Sequence, residues 1–208
     1  MHRLHRLIRL LVVPVALAAL LAAAGPAQAG PGDWWQFGYT AANTRYNPNE
    51  TTIGPGNAGR LVVGAEQAPT LGPGWNASQA SGVAVADGRA YVQVGDTEGG
   101  GSVLQAYDAA AFGSPPLWEQ RSGCGSPWPT VHLGMVFVGA FACRPSGDDG
   151  GVRAFDAATG RELWYSHLLG IGNGTENASN VAATSGAIYF GLYANAAYGG
   201  DNALLSLD

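Results

Sequence analysis

The chain has 208 residues, of which 47 % are hydrophobic, and a formal net charge of −5. That apolar content is sufficient for a packed core and excludes a disordered chain, while the negative charge disfavours nucleic acids and anionic membranes as partners. Lysine is absent, which excludes Schiff-base chemistry on lysine and a phosphate-binding P-loop.

Residues 1–29 have the pattern of a secretion signal. Three arginines within residues 3–9 precede an apolar stretch at 10–24, and a small-x-small site ends at Ala29. A membrane anchor is the alternative, but the apolar stretch is short for a span and a cleavage site follows it. We predict cleavage after Ala29 and a secreted or extracytoplasmic protein without a membrane span. Seven arginines and fifteen acidic residues would then leave a formal charge of −8.

Two short blocks recur along the rest of the chain. The first block ends in an aspartate, and successive copies of this aspartate are 48 and 52 residues apart. The second block contains a glycine, and successive copies of this glycine are 46 and 52 residues apart. A tryptophan closes the first two copies, 46 residues apart. This period is typical of propeller blades. The recurring residues are Asp108, Asp156 and Asp208, Gly88, Gly134 and Gly186, and Trp118 and Trp164.

Each copy has the pattern of four short strands. Apolar and aromatic residues fill the strands, and Gly and Asp occupy the turns between them. No helical period follows residue 30. The sequence therefore predicts an all-β fold of β-propeller blades with four antiparallel strands each, at 81–121, 126–168 and, incomplete, 178–208. In the second copy the predicted strands are Thr130–Leu133, Met135–Phe141, Gly151–Asp156 and Leu163–Ser166.

Ala106, Asp108, Gly113 and Trp118 of the first copy recur as Ala154, Asp156, Gly160 and Trp164 in the second, where Thr159 precedes the glycine. With these residues the repeat resembles the pyrroloquinoline quinone (PQQ)-like β-propeller family. In the first copy an insertion containing Pro115 and Pro116 stretches the turn, and the third copy stops before its turn. The segment from Trp34 to Leu61 is similar to the lead-in of secreted members of that family. The residues that match the tryptophan-docking motif of the family are Ala154, Asp156, Thr159, Gly160 and Trp164 in the second copy, and Ala106, Asp108, Gly113 and Trp118 in the first.

The number of repeats predicts an incomplete propeller. Propellers have about four to eight blades, whereas this chain holds about three. We expect an N-terminal part of a larger propeller, or a truncated gene product. Residues 30–80 then form a lead-in, in which 61–66 is expected to close the ring as the outer strand of the last blade.

The resemblance implies two alternative functions. The leading hypothesis is an exported binding or scaffolding module for an unknown extracellular ligand or protein. The alternative is a PQQ-dependent dehydrogenase of alcohols or sugars, with PQQ and calcium bound at a site completed beyond Asp208. Many such enzymes have two adjacent cysteines at the quinone, and this chain has none. No catalytic or cofactor-binding residue can be assigned, because the acids Glu98, Asp148, Asp149 and Asp201 lie mostly in Gly-rich loops typical of solvated turns.

Cys124 and Cys143 are the two cysteines of the chain. Their spacing is not that of a zinc site, and a disulfide is expected in an exported protein. A hairpin turn at Leu133-Gly134 would place the two cysteines opposite each other. Two unpaired buried thiols are the alternative.

The remaining candidates are weaker. His132 and His167 lack metal-ligand spacing to a partner. Trp34, Trp35 and Trp75 are candidates for a sugar-binding platform, although core packing is the commoner use of tryptophan. Four Asn-x-Ser/Thr sequences are potential glycan sites if the host glycosylates exported proteins; they begin at Asn49, Asn76, Asn173 and Asn177.

Overall fold

A computed structural model of the chain describes residues 33–40, 42–64, 66, 77–96, 101–125, 127–141, 150–167, 176–194 and 203–208. The described residues form eleven strands and one short 3-10 helix, Ala58–Arg60. The all-β prediction is confirmed. The strands are β1 (Ala77–Ala86), β2 (Arg89–Asp96), β3 (Ser102–Asp108), β4 (Trp118–Gly123), β5 (Thr130–His132), β6 (Met135–Ala140), β7 (Gly151–Asp156), β8 (Glu162–His167), β9 (Glu176–Ala183), β10 (Ile188–Ala194) and β11 (Ala203–Leu207).

The strands form three antiparallel sheets in chain order, as expected for consecutive propeller blades. Blade 1 has the order β1-β2-β3-β4, blade 2 has β5-β6-β7-β8, and blade 3 has β11-β10-β9. In blade 2 each strand end lies within one residue of its predicted position. Each blade therefore corresponds to one copy of the sequence repeat.

The hairpins that open blades 1 and 2 have the same turn. Asp87 and Gly88 have φ values of 51° and 71°, and Leu133 and Gly134 have 49° and 73°. Two successive positive φ angles define the type I′ turn, whose twist matches that of the flanking strands. Glycine adopts this conformation without strain, which explains the glycine of the first two copies; Gly186 of the third copy is not among the residues with positive φ.

The core lies between successive blades. Tyr91 and Leu104 of blade 1 pack with Val136 and Phe155 of blade 2, and all four are at most 1 % exposed. A second cluster joins blade 2 to blade 3, with members that include Phe137, Val152, Ala154, Val181 and Phe190. Each blade thus contributes one face to each neighbouring blade.

The lead-in binds the first strand of all three blades. Trp34 forms a β-bridge with Val85 of β1, and the Trp35 carbonyl accepts a hydrogen bond from the Val131 amide of β5 at 2.6 Å. The buried Gln36 accepts one through Oε1 from the Ala183 amide of β9 at 3.1 Å. Three successive residues therefore fix the relative positions of the three blades.

The segment expected to close the ring has no strand partner among the described residues. Leu61, Val62 and Val63 are 62 %, 86 % and 85 % exposed, and no strand is assigned at 61–64. Its role in ring closure stays a prediction.

The register next to Cys124 differs from the expected one. Thr130 pairs with Phe137 as predicted, but Cys124 lies opposite Phe141 rather than Cys143. The chain between Cys124 and β5 contains Pro127 and Pro129. Proline has no amide hydrogen to donate to a neighbouring strand, so the pairing of this segment with β6 is interrupted. At Cys124 the register is shifted by two residues relative to Thr130. Cys143 lies outside the described residues, and the disulfide stays a prediction.

No helix among the described residues is long and apolar enough to cross a membrane. The secretion signal at 1–29 and its cleavage site lie outside the described residues.

Candidate functional site

The docking motif of blade 2 is a tight turn held by Asp156. Its Oδ1 accepts hydrogen bonds from the hydroxyl and the amide of Thr159, at 2.7 and 2.8 Å, and from the amide of Ala158 at 3.1 Å. These bonds, the Thr159 hydroxyl first among them, hold the pKa of the Asp156 carboxyl below its ordinary value. Gly160 closes the turn at φ +73° and donates its amide to the Asp156 carbonyl. The carbonyl of Ala157 remains available to blade 1.

Trp118 of blade 1 docks on this turn. Its indole Nε1 donates to the Ala157 carbonyl at 3.2 Å, and the hydroxyl of the buried Tyr91 donates to the same oxygen at 3.1 Å. A Cβ on Gly160 would lie 2.6 Å from the indole ring. The glycine is therefore required both for its φ angle and for the close approach of Trp118. Through these contacts Trp118 joins blade 1 to the turn of blade 2.

The corresponding turn of blade 1 is built differently. Asp108 Oδ1 accepts one hydrogen bond, from the Ala110 amide at 2.8 Å. A Cβ on Gly113 would meet no atom within 4 Å. The insertion instead places the ring of Phe112 against Tyr107, with centroids 5.9 Å apart. Gly113 therefore matches the motif in sequence without having the contact that Gly160 makes.

Trp164 repeats the geometry of Trp118 within its own blade. Its ring lies 5.9 Å from Phe137 at an interplanar angle of 50°, while Trp118 lies 5.9 Å from Tyr91 at 46°. Trp118 is partly buried, whereas Trp164 is 36 % exposed.

A groove of about 440 Å³, which we call the tryptophan groove, lies beside Trp164 between blades 2 and 3. Apolar surface predominates in its lining. Within the described part of the chain the Trp164 indole N–H has no hydrogen-bond acceptor. The main lining residues are Met135, Phe137, Trp164, Thr184, Leu207 and Asp208.

The described residues contain no cluster of metal ligands that would hold calcium. Among them no group of three or more His, Cys, Asp or Glu side chains could hold a metal ion. Glu119 accepts from Gln105 Nε2 at 2.6 Å, and Glu162 pairs with Arg153 at 2.7 Å. These carboxylates serve the structure of their blades. The loop acids Glu98, Asp148, Asp149 and Asp201 lie outside the described residues, and no catalytic step can be derived.

A comparison with protein-family models agrees with the propeller repeat found in the sequence. The model described as "Outer membrane protein assembly factor BamB", a PQQ-like repeat model, matches residues 51–202, which is 152 of the 208 residues. The chain belongs to this PQQ-like repeat family. A search of curated proteins gives no match. Blades 1 and 2 lie entirely within the matched range, and so does the turn that docks Trp118.

The other candidates of this PQQ-like repeat protein lie apart from the tryptophan groove, with one exception. His132 lines the groove, but its Nε2 atom is buried and has no hydrogen-bond partner. The His167 ring packs against Tyr165 at 3.8 Å. Neither histidine belongs to a metal-binding group among the described residues.

The tryptophans of the lead-in pack around one tyrosine. Trp35 stacks on Tyr39 at 5.5 Å and 9°, and Trp34 tilts against the same ring at 5.4 Å. Burial raises the pKa of Tyr39. Trp75 lies outside the described residues, so the three-tryptophan platform stays a prediction. Of the potential glycan sites, Asn49 is exposed, Asn177 lies in β9, and Asn76 and Asn173 lie outside the described residues.

Sequence reasoning missed two parts of the docking contact. The Ala157 carbonyl is a backbone group and has no sequence signal. The hydroxyl of Tyr91 shares that acceptor, whereas the second blade has Phe137 at the aligned position. The Tyr-to-Phe difference between the copies was the one available signal that blade 1 makes an additional polar contact.

Proposed function

We propose that this PQQ-like repeat protein is a non-catalytic, extracytoplasmic binding or scaffolding module, and that the tryptophan groove is its docking site. The family match and the groove beside Trp164 together carry this proposal. Trp164 is 36 % exposed at this groove, and apolar surface predominates in its lining.

The contact made by Trp118 indicates what the groove binds. A suitable ligand is a β-turn of another protein that presents a backbone carbonyl to the indole N–H and a glycine to the ring face. Tryptophan contributes a large apolar area together with one polar atom, and for that reason it is enriched among the residues that dominate binding energy. The name of the matching family, an assembly factor, supports a role in binding other proteins.

Site-specific cross-linking tests this function. Leu133 lines the groove and is 50 % exposed, so a photo-reactive amino acid placed there should form an adduct with a partner protein in the exporting cell. The Trp164→Ala substitution should abolish the adduct. A matched control is the same probe at Leu117, which is 54 % exposed in blade 1 and should give none.

The dehydrogenase alternative predicts a different result. Titration with PQQ and calcium would produce quinone absorbance, and the loaded protein would reduce a dye with alcohols or sugars. Dye reduction together with no adduct at Leu133 would overturn the binding proposal. Adduct formation without quinone binding supports it.

A further inference from the structure

A second pocket, of about 380 Å³, lies in the lead-in, and we call it the lead-in pocket. Its volume falls within the range of roughly 300–1,000 Å³ that is typical of small-molecule sites. It shares none of its described lining residues with the tryptophan groove. The lining residues that bear on a ligand are Asp33, Trp34, Arg45, Tyr46, Asn47 and Glu50.

Two aromatic side chains line the lead-in pocket. Trp34 is half-buried and held in place, because its amide and carbonyl both form hydrogen bonds with Val85 of β1, at 2.6 and 2.8 Å. Its ring also packs against Tyr39. Tyr46 is 66 % exposed. Since tryptophan and tyrosine combine a flat apolar ring with one polar atom, the pocket offers a fixed aromatic surface and an accessible one.

The buried Asn47 connects the two ends of the segment that forms the pocket. Its Nδ2 donates to the Asp33 carbonyl at 3.0 Å, and its Oδ1 accepts from the Tyr39 hydroxyl at 2.9 Å. Tyr39 itself is buried at φ +75°, and Arg45 lies at φ +53°. Left-handed angles at non-glycine residues are strained, and such strain clusters at ligand-binding sites.

Charged groups of both signs reach the pocket. Glu50 Oε1 accepts hydrogen bonds from the amides of Ile53 and Thr52, at 2.9 and 2.5 Å. These bonds, the one from Ile53 first among them, lower the pKa of the Glu50 carboxyl, so the group is ionised at neutral pH. Arg45 donates through Nε to Asn43 at 3.4 Å. A carboxylate has about four acceptor positions and a guanidinium about five donors, so both groups can bind a ligand as well.

We propose that the lead-in pocket binds the pyranose ring of a neutral saccharide. One face of such a ring consists of C–H groups that pack on an aromatic side chain, and its hydroxyls both donate and accept hydrogen bonds. The pocket supplies acceptors at Asp33 and Glu50 and donors at Arg45.

The mixture of charges selects a neutral ligand. The two carboxylates repel an anion and the guanidinium repels a cation, whereas a ligand with several hydroxyls can bind to both. The saccharide site goes beyond the proposed docking of proteins and does not depend on the tryptophan groove.

Titration of the full chain with three disaccharides tests the proposal. The probes are cellobiose, maltose and N,N′-diacetylchitobiose, followed by tryptophan fluorescence and calorimetry. At least one should bind saturably with a Kd of about 1 mM. Tyr46→Ala should weaken this binding about tenfold through loss of the aromatic contact. The matched control is Tyr189→Ala, at a position of blade 3 that is 41 % exposed, and it should bind like the parent.

The Arg45→Met substitution separates a saccharide from a cation. Methionine retains an apolar side chain but has no donor, so saccharide affinity should fall about tenfold. The affinity for tetramethylammonium would instead rise, because a repulsive charge is removed. Raising the salt concentration from about 0.05 to about 0.5 M should leave saccharide binding unchanged, since the ligand carries no charge.

Three outcomes overturn the proposal. Absence of saturable binding of all three disaccharides up to about 50 mM shows that the pocket does not hold a pyranose ring. Binding that Tyr46→Ala leaves unchanged, or that Tyr189→Ala weakens equally, places the saccharide elsewhere. Tighter binding of tetramethylammonium than of the disaccharides, strengthened by Arg45→Met, assigns the pocket to a cation. Thermal melts of all variants by circular dichroism separate loss of binding from loss of folding.

Discussion

Trp118 and Trp164 are the same residue of the same motif in two different surroundings. Within their blades they pack at the same distance on an aromatic residue of the second strand. Trp118 has in addition an acceptor for its indole N–H and a glycine under its ring, both in the turn of blade 2. Trp164 has neither contact among the described residues and is 36 % exposed.

The two tryptophans show a difference between the fold of a single blade and the packing between blades. The repeat sequence determines the fold of a blade and the direction of its tryptophan, because strand pairing and the Phe or Tyr neighbour are local. Burial of the tryptophan depends on the next blade, because the turn that covers it belongs to that blade. A repeat motif therefore predicts a contact only together with its neighbour.

The strongest test compares alanine substitutions at the two tryptophans. Trp118→Ala should reduce the free energy of unfolding by about 3 kcal/mol, as truncation of a packed tryptophan does. Trp164→Ala should cost about 1 kcal/mol, because it removes less buried apolar area. Denaturant unfolding followed by circular dichroism, with equal m values, measures both changes.

A milder pair of substitutions isolates the indole hydrogen bond. Trp118→Phe retains a ring but loses the donor to the Ala157 carbonyl, at a cost of about 1 kcal/mol. Trp164→Phe should cost less, since its N–H has no acceptor within the described structure. Equal losses at both positions would show that the hydrogen bond from the Trp118 indole to the Ala157 carbonyl contributes nothing to stability.

The next test uses two glycines with the same backbone conformation. Gly160 and Gly134 both have φ +73°, but a Cβ on Gly160 would lie 2.6 Å from the Trp118 ring, while one on Gly134 would meet no atom within 4 Å. Alanine at either position incurs about 1–2 kcal/mol of backbone strain. Gly160→Ala should cost about 1–3 kcal/mol more than Gly134→Ala because of overpacking. If both cost the same in chemical unfolding, Trp118 does not dock closely on this turn.

Much of the blade structure could be predicted from the sequence. The strands of blade 2 agree with the prediction because apolar and aromatic strand residues and a Leu-Gly turn are local signals. The position of Cys124 could not be predicted, because two prolines between it and β5 interrupt the register on which the prediction relied. The exposure of Trp164 was also unpredictable, since it depends on a covering turn rather than on the motif itself.

The lead-in shows a further limit of prediction. Its resemblance to related lead-in segments indicated an association with the propeller, but Gln36 has no distinguishing sequence signal. The glutamine accepts a hydrogen bond from β9, 147 residues further along the chain. Such a long-range contact depends on how the three blades pack together. The sequence pattern of a single blade therefore cannot predict it.

The smallest expected effect concerns the aspartates of the two turns. The hydrogen bonds from Thr159 and Ala158 lower the pKa of Asp156 below 3.8. In the acid range the native state therefore binds fewer protons than the unfolded state. The stabilisation by the Asp156 carboxylate is complete above the ordinary pKa of the unfolded state, and it is lost as the pH falls through the lower pKa of the native state. Asp156→Asn should therefore lower the melting temperature at neutral pH and reduce its dependence on pH in the acid range.

Asp108→Asn is the matched control, because the Asp108 side chain accepts one amide hydrogen bond where Asp156 accepts two amides and a hydroxyl. This variant keeps the Asp156 turn and should keep the acid dependence of the parent. Calorimetric melts between neutral pH and about pH 3 measure both variants. If Asp108→Asn removes the acid dependence and Asp156→Asn leaves it unchanged, the stabilising carboxylate lies in the stretched turn of blade 1. The docking turn of blade 2 would then owe its shape to Gly160 and to the contact with Trp118.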